Sequence, residues 1–164
     1  MIPLAVMVVA WVAFRLLGAS GLIGPAATAP GALRFALAVM FLLTATAHFH
    51  PNTRPDMIRM VPPGMPFPAA LVTVTGLLEL AGAIGLLVPA VATLAAYSLI
   101  ALLIALFPAN VHAARAGLEL AGQAAMPLVW RLPLQLFWIA ALWWVAWYHR
   151  RQRGIAASPG TRAA

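Results

Sequence analysis

The residue best suited to chemistry is Glu79, which lies near the middle of an apolar stretch from Phe67 to Leu87. A stretch of about 20 apolar residues can cross a bilayer core of about 30 Å. A carboxylate at that depth is costly, so it normally faces a bundle interior or a wet cavity. Its helical neighbours are small or polar: Thr75, Gly76, Gly82 and Ala83. Such a face is typical of close helix contact in lipid, so Glu79 is either a functional acid or a structural hydrogen bond between helices.

Other polar residues are predicted to lie at one side of the membrane, above Glu79. They are His48, Arg59, Asn110, His112, Arg131 and Gln135. At 1.5 Å rise per residue, Glu79 lies about 15 Å below that surface. Thr44 and His48 are four residues apart and share a helical face. The opposite half of the predicted bundle is poor in polar groups, so the pattern predicts one outward-open binding pocket with Glu79 at its floor.

Each of these residues also has a structural interpretation. His48 and His112 suit the lipid headgroup level without any ligand. Asn110 suits a helix C-terminus, Arg131 suits a topology anchor, and Gln135 suits an interhelical hydrogen bond. The shared depth and side of these residues, rather than any one of them, favour a ligand site.

A metal or haem site is less well supported by the sequence. His48 and His50 are two residues apart, about 200° around a helix, so they would not share a ligand face. The acidic or thiolate ligands that usually complete such sites are missing at that level. The chain has no cysteine, which excludes thiol relays and thiolate ligands. We expect no metal and no intrinsic cofactor.

The composition indicates an integral membrane protein. Hydrophobic residues make up 64% of the 164 residues, charged residues make up 8%, and the mean hydropathy is +0.96. The apolar stretches are too long and too uniform for barrel strands. The net charge of +7 comes from arginines, which in a membrane protein set topology and do not indicate nucleic-acid binding.

Five stretches are predicted to cross the membrane as helices, giving an all-α bundle. They are residues 2–18, 33–50, 67–87, 92–107 and 132–148. Residues 2–18 also resemble a signal peptide. However, no positive residue lies between Met1 and the start of this apolar stretch, which favours an uncleaved span. We therefore divide the chain into an N-terminal helix and linker (1–32), a four-helix core (33–149) and a basic tail (150–164).

Prolines set the predicted helix ends and loops. Pro51 is expected to end the second span and Pro108 the fourth. The proline-rich loop 51–68, with Arg59, is expected to fold over the bundle mouth. Residues 113–130 are predicted to form a short interfacial helix, and Pro133 suits the first turn of the last span.

The arginines predict the orientation of the bundle. Arg15, Arg34 and the tail, which includes Arg162, fall on one side, and the positive-inside bias assigns that side to the cytoplasm. With five spans, the N-terminus then lies outside, together with loop 51–68.

Five short motifs in this order resemble one protein family. They are His48-Phe49-x-Pro51, Met60-x-Pro62-Pro63-x-x-Pro66, Gly76-x-x-Glu79, Phe107-Pro108-Ala109-Asn110 and Arg131-x-Pro133-x-Gln135. Across residues 33–148 they resemble the DoxX-like family of small bacterial membrane proteins. The resemblance implies a four-helix core in the plasma (inner) membrane with both core ends in the cytoplasm, and the first span departs from this pattern. The family name comes from a subunit of a thiosulfate:quinone oxidoreductase, and other relatives are associated with redox enzymes, quinone or catechol stress, or membrane-protein assembly.

Three functions follow as hypotheses. The first is a redox-associated subunit that binds a quinone or a small aromatic or lipid-like ligand near Glu79 and works with a redox partner. The second is an assembly factor or structural subunit for another membrane protein. The third is a proton-coupled carrier, although no inverted repeat is evident, so that it would require a homo-oligomer.

Overall fold

The computed structural model describes residues 2–120 and 122–156. Within these residues the chain is almost entirely helical, and five helices are long and apolar enough to cross a membrane, which confirms the five predicted spans. The helices are α1 (Ile2–Ala19), α2 (Ala29–Ala47), α3 (Arg54–Met60), α4 (Pro68–Leu87), α5 (Ala92–Arg115) and α6 (Leu128–Ala156). The chain is therefore a multi-pass membrane protein. The end of the predicted tail, including Arg162, lies outside the described residues.

The helix α2 begins at Ala29, before the predicted start at Leu33, and ends at Ala47 rather than near Pro51. Thr28 caps its first turn, because the Thr28 side chain accepts a hydrogen bond of 3.2 Å from the Gly31 amide. Pro30 fits this first turn, where no amide donor is needed. The residues predicted to form a linker thus include a helix start, and position 32 falls inside α2.

The helix α5 does not end at Pro108 as predicted but continues to Arg115. A proline within a membrane helix is tolerated where neighbouring groups satisfy the freed carbonyls. Pro108 removes the amide donor of the Ile104 carbonyl. One residue before that carbonyl, the Gln135 side chain donates a hydrogen bond of 2.7 Å to the Leu103 carbonyl and ties α6 to this turn of α5. Asn110 and His112 therefore lie within the helix.

Residues 113–130 do not form the predicted interfacial helix. After α5 the chain turns at Gly117, with a φ of 61°, into a two-residue hairpin of strands β1 (Glu119–Leu120) and β2 (Gln123–Ala124). The antiparallel register pairs Glu119 with Ala124. The prediction was wrong because positive-φ glycines at 117 and 122 favour turns over helix.

The last helix, α6, begins at Leu128 and continues through residue 150 to Ala156, so it is longer than the predicted span. Pro133 consequently lies inside the helix and not in its first turn. The first residues assigned to the basic tail are therefore helical.

The core forms where α2 packs against α1, α4 and α6, and where α5 packs against α4 and α6. Its largest fully buried side chains are Leu37, Leu86, Leu99, Leu142 and Val145. Two glycines of α4 bring α5 close: a Cβ on Gly82 would lie 2.5 Å from Leu99, and one on Gly85 would lie 2.7 Å from Ala95. These contacts make α4 and α5 antiparallel. Continuing the same register sets Leu103 at about the depth of Glu79.

Candidate functional site

The centre of the candidate site is a direct contact between His48 and Glu79. His48 caps the C-terminal end of α2, and Glu79 lies past the middle of α4. The Nε2 atom of His48 lies 3.1 Å from Oε2 of Glu79. Both residues are buried, with 4% and 7% of their surface exposed. The predicted inward orientation of Glu79 is thus confirmed, and its nearest charged or titratable neighbour is His48.

The hydrogen bonds of His48 define where the proton of this pair lies. Its Nδ1 atom is 3.0 Å from the carbonyl oxygen of Val72, which can only accept, so Nδ1 must carry a hydrogen. The short contact between Nε2 and Glu79 then requires one further proton between the two atoms. That proton can rest on either partner, giving an imidazolium–carboxylate pair or a neutral pair, and both forms have no net charge.

Two threonines complete the surroundings of the pair. The Thr44 hydroxyl donates to Oε1 of Glu79, with a longer contact of 3.2 Å to the Phe41 carbonyl. The Thr75 hydroxyl lies 3.4 Å from Nδ1 of His48. Thr44 and His48 thus contact Glu79 from one face of α2, as their spacing predicts. Each oxygen of the carboxyl group has a polar partner, so burial of Glu79 is compensated.

Gly76 is what allows α2 and α4 to approach at this point. A Cβ atom at position 76 would lie 2.6 Å from Cβ of His48 and 3.0 Å from the Phe49 ring. Small residues at such positions let helices in lipid come close enough for polar side chains to bond across the interface. The contact between His48 and Glu79 therefore depends on position 76 being a glycine, which has no side chain.

Arg54, the first residue of α3, bonds to the backbone of His48 and was not among the predicted site residues. Its guanidinium donates 2.9 Å to the His48 carbonyl, 3.1 Å to the Ala69 carbonyl and 2.8 Å to the Thr73 hydroxyl. Because α2 ends beside the middle of α4, the segment after His48 fills the space above the pair. The sequence offered only an arginine in a proline-rich loop, which is a weak signal for this role.

The other predicted site residues do not join His48 and Glu79 in one pocket. Arg131 donates to the side-chain oxygen of Asn110, which links α6 to α5. Arg59 lies 2.5 Å from Asp56 within α3. His112 is half-buried and makes no side-chain hydrogen bond or ion pair among the described residues.

Gln135 is buried and bonds to α5, as its structural interpretation predicted. The structure thus brings His48 and Glu79 together and places Asn110, Arg131 and Gln135 in separate contacts between α5 and α6. The physical reason is the continuation of α5 past Pro108, which carries Asn110 towards Arg131 in α6.

Potential metal ligands are sparse around His48 and Glu79 in the described part of the chain. Within residues 2–120 and 122–156, no group of three or more His, Cys, Asp or Glu side chains is close enough to hold a metal ion. Two cavities, of about 340 and 300 Å³, lie elsewhere in the bundle. His48 and Glu79 themselves supply groups for hydrogen bonding and proton exchange.

Comparison with known proteins defines a family but not an activity. The family model of a domain of unknown function, DUF8561, matches residues 37–146, about two thirds of the chain, and the chain belongs to this family. The matched range runs from α2 into α6 and includes both His48 and Glu79. No curated protein and no solved structure matches the chain.

Proposed function

We propose that this protein binds a quinone or a small aromatic or lipid-like molecule beside the His48–Glu79 pair and supports the redox chemistry of a membrane partner. The single observation that supports the proposal is the 3.1 Å contact between Nε2 of His48 and Oε2 of Glu79 inside the bundle, where Nδ1 of His48 faces the Val72 carbonyl. Reduction of a quinone carbonyl requires a hydrogen-bond donor and a source of protons. Giving up the proton of this contact would leave a negative charge on the buried pair, so release to a ligand would be coupled to uptake of a replacement proton.

The position of the His48–Glu79 pair suits proton transfer between the membrane interior and the end of the bundle. His48 lies where α2 ends and the chain leaves the helix, whereas Glu79 lies twelve positions into α4. The exposed ring of His50 follows two residues later. A proton released from the pair therefore has imidazole groups near the end of the bundle, and a lipid-soluble ligand can approach through the helices.

The location in a bacterial plasma membrane and the resemblance to the DoxX-like family are part of the same proposal. The DoxX-like motifs at His48, Glu79 and Asn110 support a redox-associated role in a bacterial plasma membrane. The concentration of arginines at the end of α6 supports a cytoplasmic C-terminus. The partner carries the electrons, because the chain supplies no cysteine for thiol redox chemistry.

Binding of a short-chain benzoquinone to purified protein tests the proposal. Glu79→Gln keeps a side chain that can accept from Thr44 and donate to Nε2 of His48, but it cannot release a proton. We expect Glu79→Gln and His48→Ala to weaken quinone binding by about tenfold or more, the equivalent of one lost hydrogen bond to a charged group. Quenching of tryptophan fluorescence during titration with the quinone measures the affinity.

A matched control removes a carboxylate at an exposed position. Glu119→Gln does so away from the His48–Glu79 pair and should bind the quinone like the wild type. Equal affinity of the wild type, Glu79→Gln and His48→Ala would refute the proposal.

A structural role in assembly is the second candidate, because every polar atom of the His48–Glu79 pair already has a partner within the chain. In that case α3, which has no buried residue, and the hairpin beyond α5 would provide the docking surface. Crosslinking through α3 followed by pull-down should then recover one dominant membrane protein. Recovery of lipids alone would count against an assembly role.

A further inference from the structure

Arg34 is a buried cation at the end of the bundle opposite His48. It lies in the second turn of α2, is 6% exposed and lines a cavity of about 300 Å³. Among the described residues its guanidinium makes no hydrogen bond and no ion pair. It contacts the ring of Phe35, whose centroid lies 4.9 Å from Cζ of Arg34. The guanidinium nitrogens of Arg34, unpaired among the described residues, open onto the cavity, where an anionic or polar partner would offset the cost of burying the cation.

No acidic side chain of the chain is available to neutralise Arg34. The sequence contains three acidic residues. Asp56 pairs with Arg59, Glu79 bonds to His48, and Glu119 lies in the hairpin beyond α5. Among the described residues no carboxylate pairs with Arg34, so its counter-charge can be supplied by a bound anion.

Other groups around the cavity also favour an anion. Thr28 and Gly31 line it, so the first turn of α2 and the positive end of its helix dipole face the same space. Tyr148 and Gln152 of α6 line it as well and make no side-chain hydrogen bond among the described residues. Guanidinium, phenol and amide donors around one helix N-terminus match the several oxygens of a phosphate group.

An apolar groove continues from this cavity along the bundle. The groove, of about 340 Å³, lies between α1, α2 and α6. It is lined by Met7, Trp11, Leu33, Phe137, Ala141 and Trp144, among others. Residues three or four apart share a helix face. Leu33 of the groove follows Pro30 of the cavity by three residues in α2, and Ala141 of the groove precedes Val145 of the cavity by four in α6, so the groove and the cavity lie along the same helix faces. A molecule with a phosphate head and a hydrocarbon chain would fill both.

We infer that the Arg34 cavity and the adjoining groove form a binding site for an anionic phospholipid. The phosphate is held by the Arg34 guanidinium at the α2 N-terminus, and one acyl chain lies between α1 and α6. This inference does not depend on the proposed function, because it concerns the opposite end of the bundle.

Native mass spectrometry of the detergent-purified full chain with added phosphatidylglycerol tests the site. We expect one phosphatidylglycerol to remain bound to the wild type, and Arg34→Gln to lower that affinity by about tenfold or more. Arg150→Gln is the matched control, since it removes an exposed arginine near the same end and should bind like the wild type. Equal retention of the lipid by the wild type and Arg34→Gln would overturn the inference.

A groove variant keeps the test decisive if Arg34→Gln does not fold. Ala140 is exposed and lines the groove, so Ala140→Trp fills the groove without entering the core. We expect Ala140→Trp to weaken phosphatidylglycerol binding severalfold, and unchanged binding would contradict the lipid assignment. Inorganic phosphate should not displace the lipid, and displacement at millimolar phosphate would show that the ligand is a free anion instead.

Discussion

At the scale of single residues, the central feature is the direct contact between Nε2 of His48 and the carboxyl group of Glu79. Nδ1 of His48 is committed to the Val72 carbonyl, which leaves Nε2 to share a hydrogen with the Glu79 carboxyl group. Residue types and spacing could predict that Thr44, His48 and Glu79 face the interior. They could not predict which nitrogen of His48 faces Glu79, because the Val72 carbonyl, through its contact with Nδ1, determines it.

Replacement of Gly76 by alanine tests how closely this pair depends on helix spacing. The new Cβ would lie 2.6 Å from Cβ of His48, and backbone atoms on both helices must move to relieve the clash. We expect Gly76→Ala to lower the free energy of unfolding by about 1–3 kcal/mol. Equilibrium unfolding in mixed micelles measures the change.

Gly154→Ala provides the control for this substitution. Gly154 lies in α6, and a Cβ atom added there would meet no heavy atom within 4 Å. Alanine at this position should therefore be neutral or stabilise the helix by up to about 1 kcal/mol. Equal stability of Gly76→Ala and the wild type would show that α2 and α4 are not tightly packed at His48.

At the scale of helices, prolines and glycines explain why some boundaries were predicted and others were not. The predicted α4 span nearly matches Pro68–Leu87, because Pro68 and Pro89 flank a uniform apolar stretch. The end of α5 was misplaced because Pro108 looks like a helix terminator in isolation. The sequence alone does not show that Gln135 reaches the disturbed turn from another helix.

The contact between Asn110 and Arg131 joins α5 and α6 beyond Pro108. A double-mutant cycle with Asn110→Ala and Arg131→Ala should give a coupling energy of about 0.5–3 kcal/mol, since each variant removes the same charge-assisted hydrogen bond. Unfolding in mixed micelles measures all four proteins. Pairing Asn110→Ala with Arg115→Ala is the control, because Arg115 is exposed and should show no coupling.

At the scale of the whole molecule, charge is divided between the two ends of the bundle. The cluster of His48, Glu79 and Arg54 lies towards one end. Arg34 and the C-terminal part of α6 lie at the other, where Arg153 donates 2.9 Å to the Ala90 carbonyl. Composition predicted a membrane protein correctly, but it could not show that Arg34 would be buried without a carboxylate.

Single-cysteine labelling tests the orientation, since the natural chain has no cysteine to remove. Asn52 and Gly154 are exposed at opposite ends of the bundle. With the C-terminus in the cytoplasm, a membrane-impermeant maleimide should label Asn52→Cys in intact cells and Gly154→Cys only after permeabilisation. The reverse pattern would invert the proposed topology.

The three hydrogen bonds of Arg54 have a practical consequence for handling the protein. They fasten the start of the segment between α2 and α4 to His48, Ala69 and Thr73, and α3 in that segment packs against α4 and α5. Beyond α3, Gly64 has a φ of 94° and open space around it. An epitope or fluorophore inserted at Gly64 would therefore report on the end of the bundle nearest His48 while leaving the buried imidazole and carboxyl groups undisturbed.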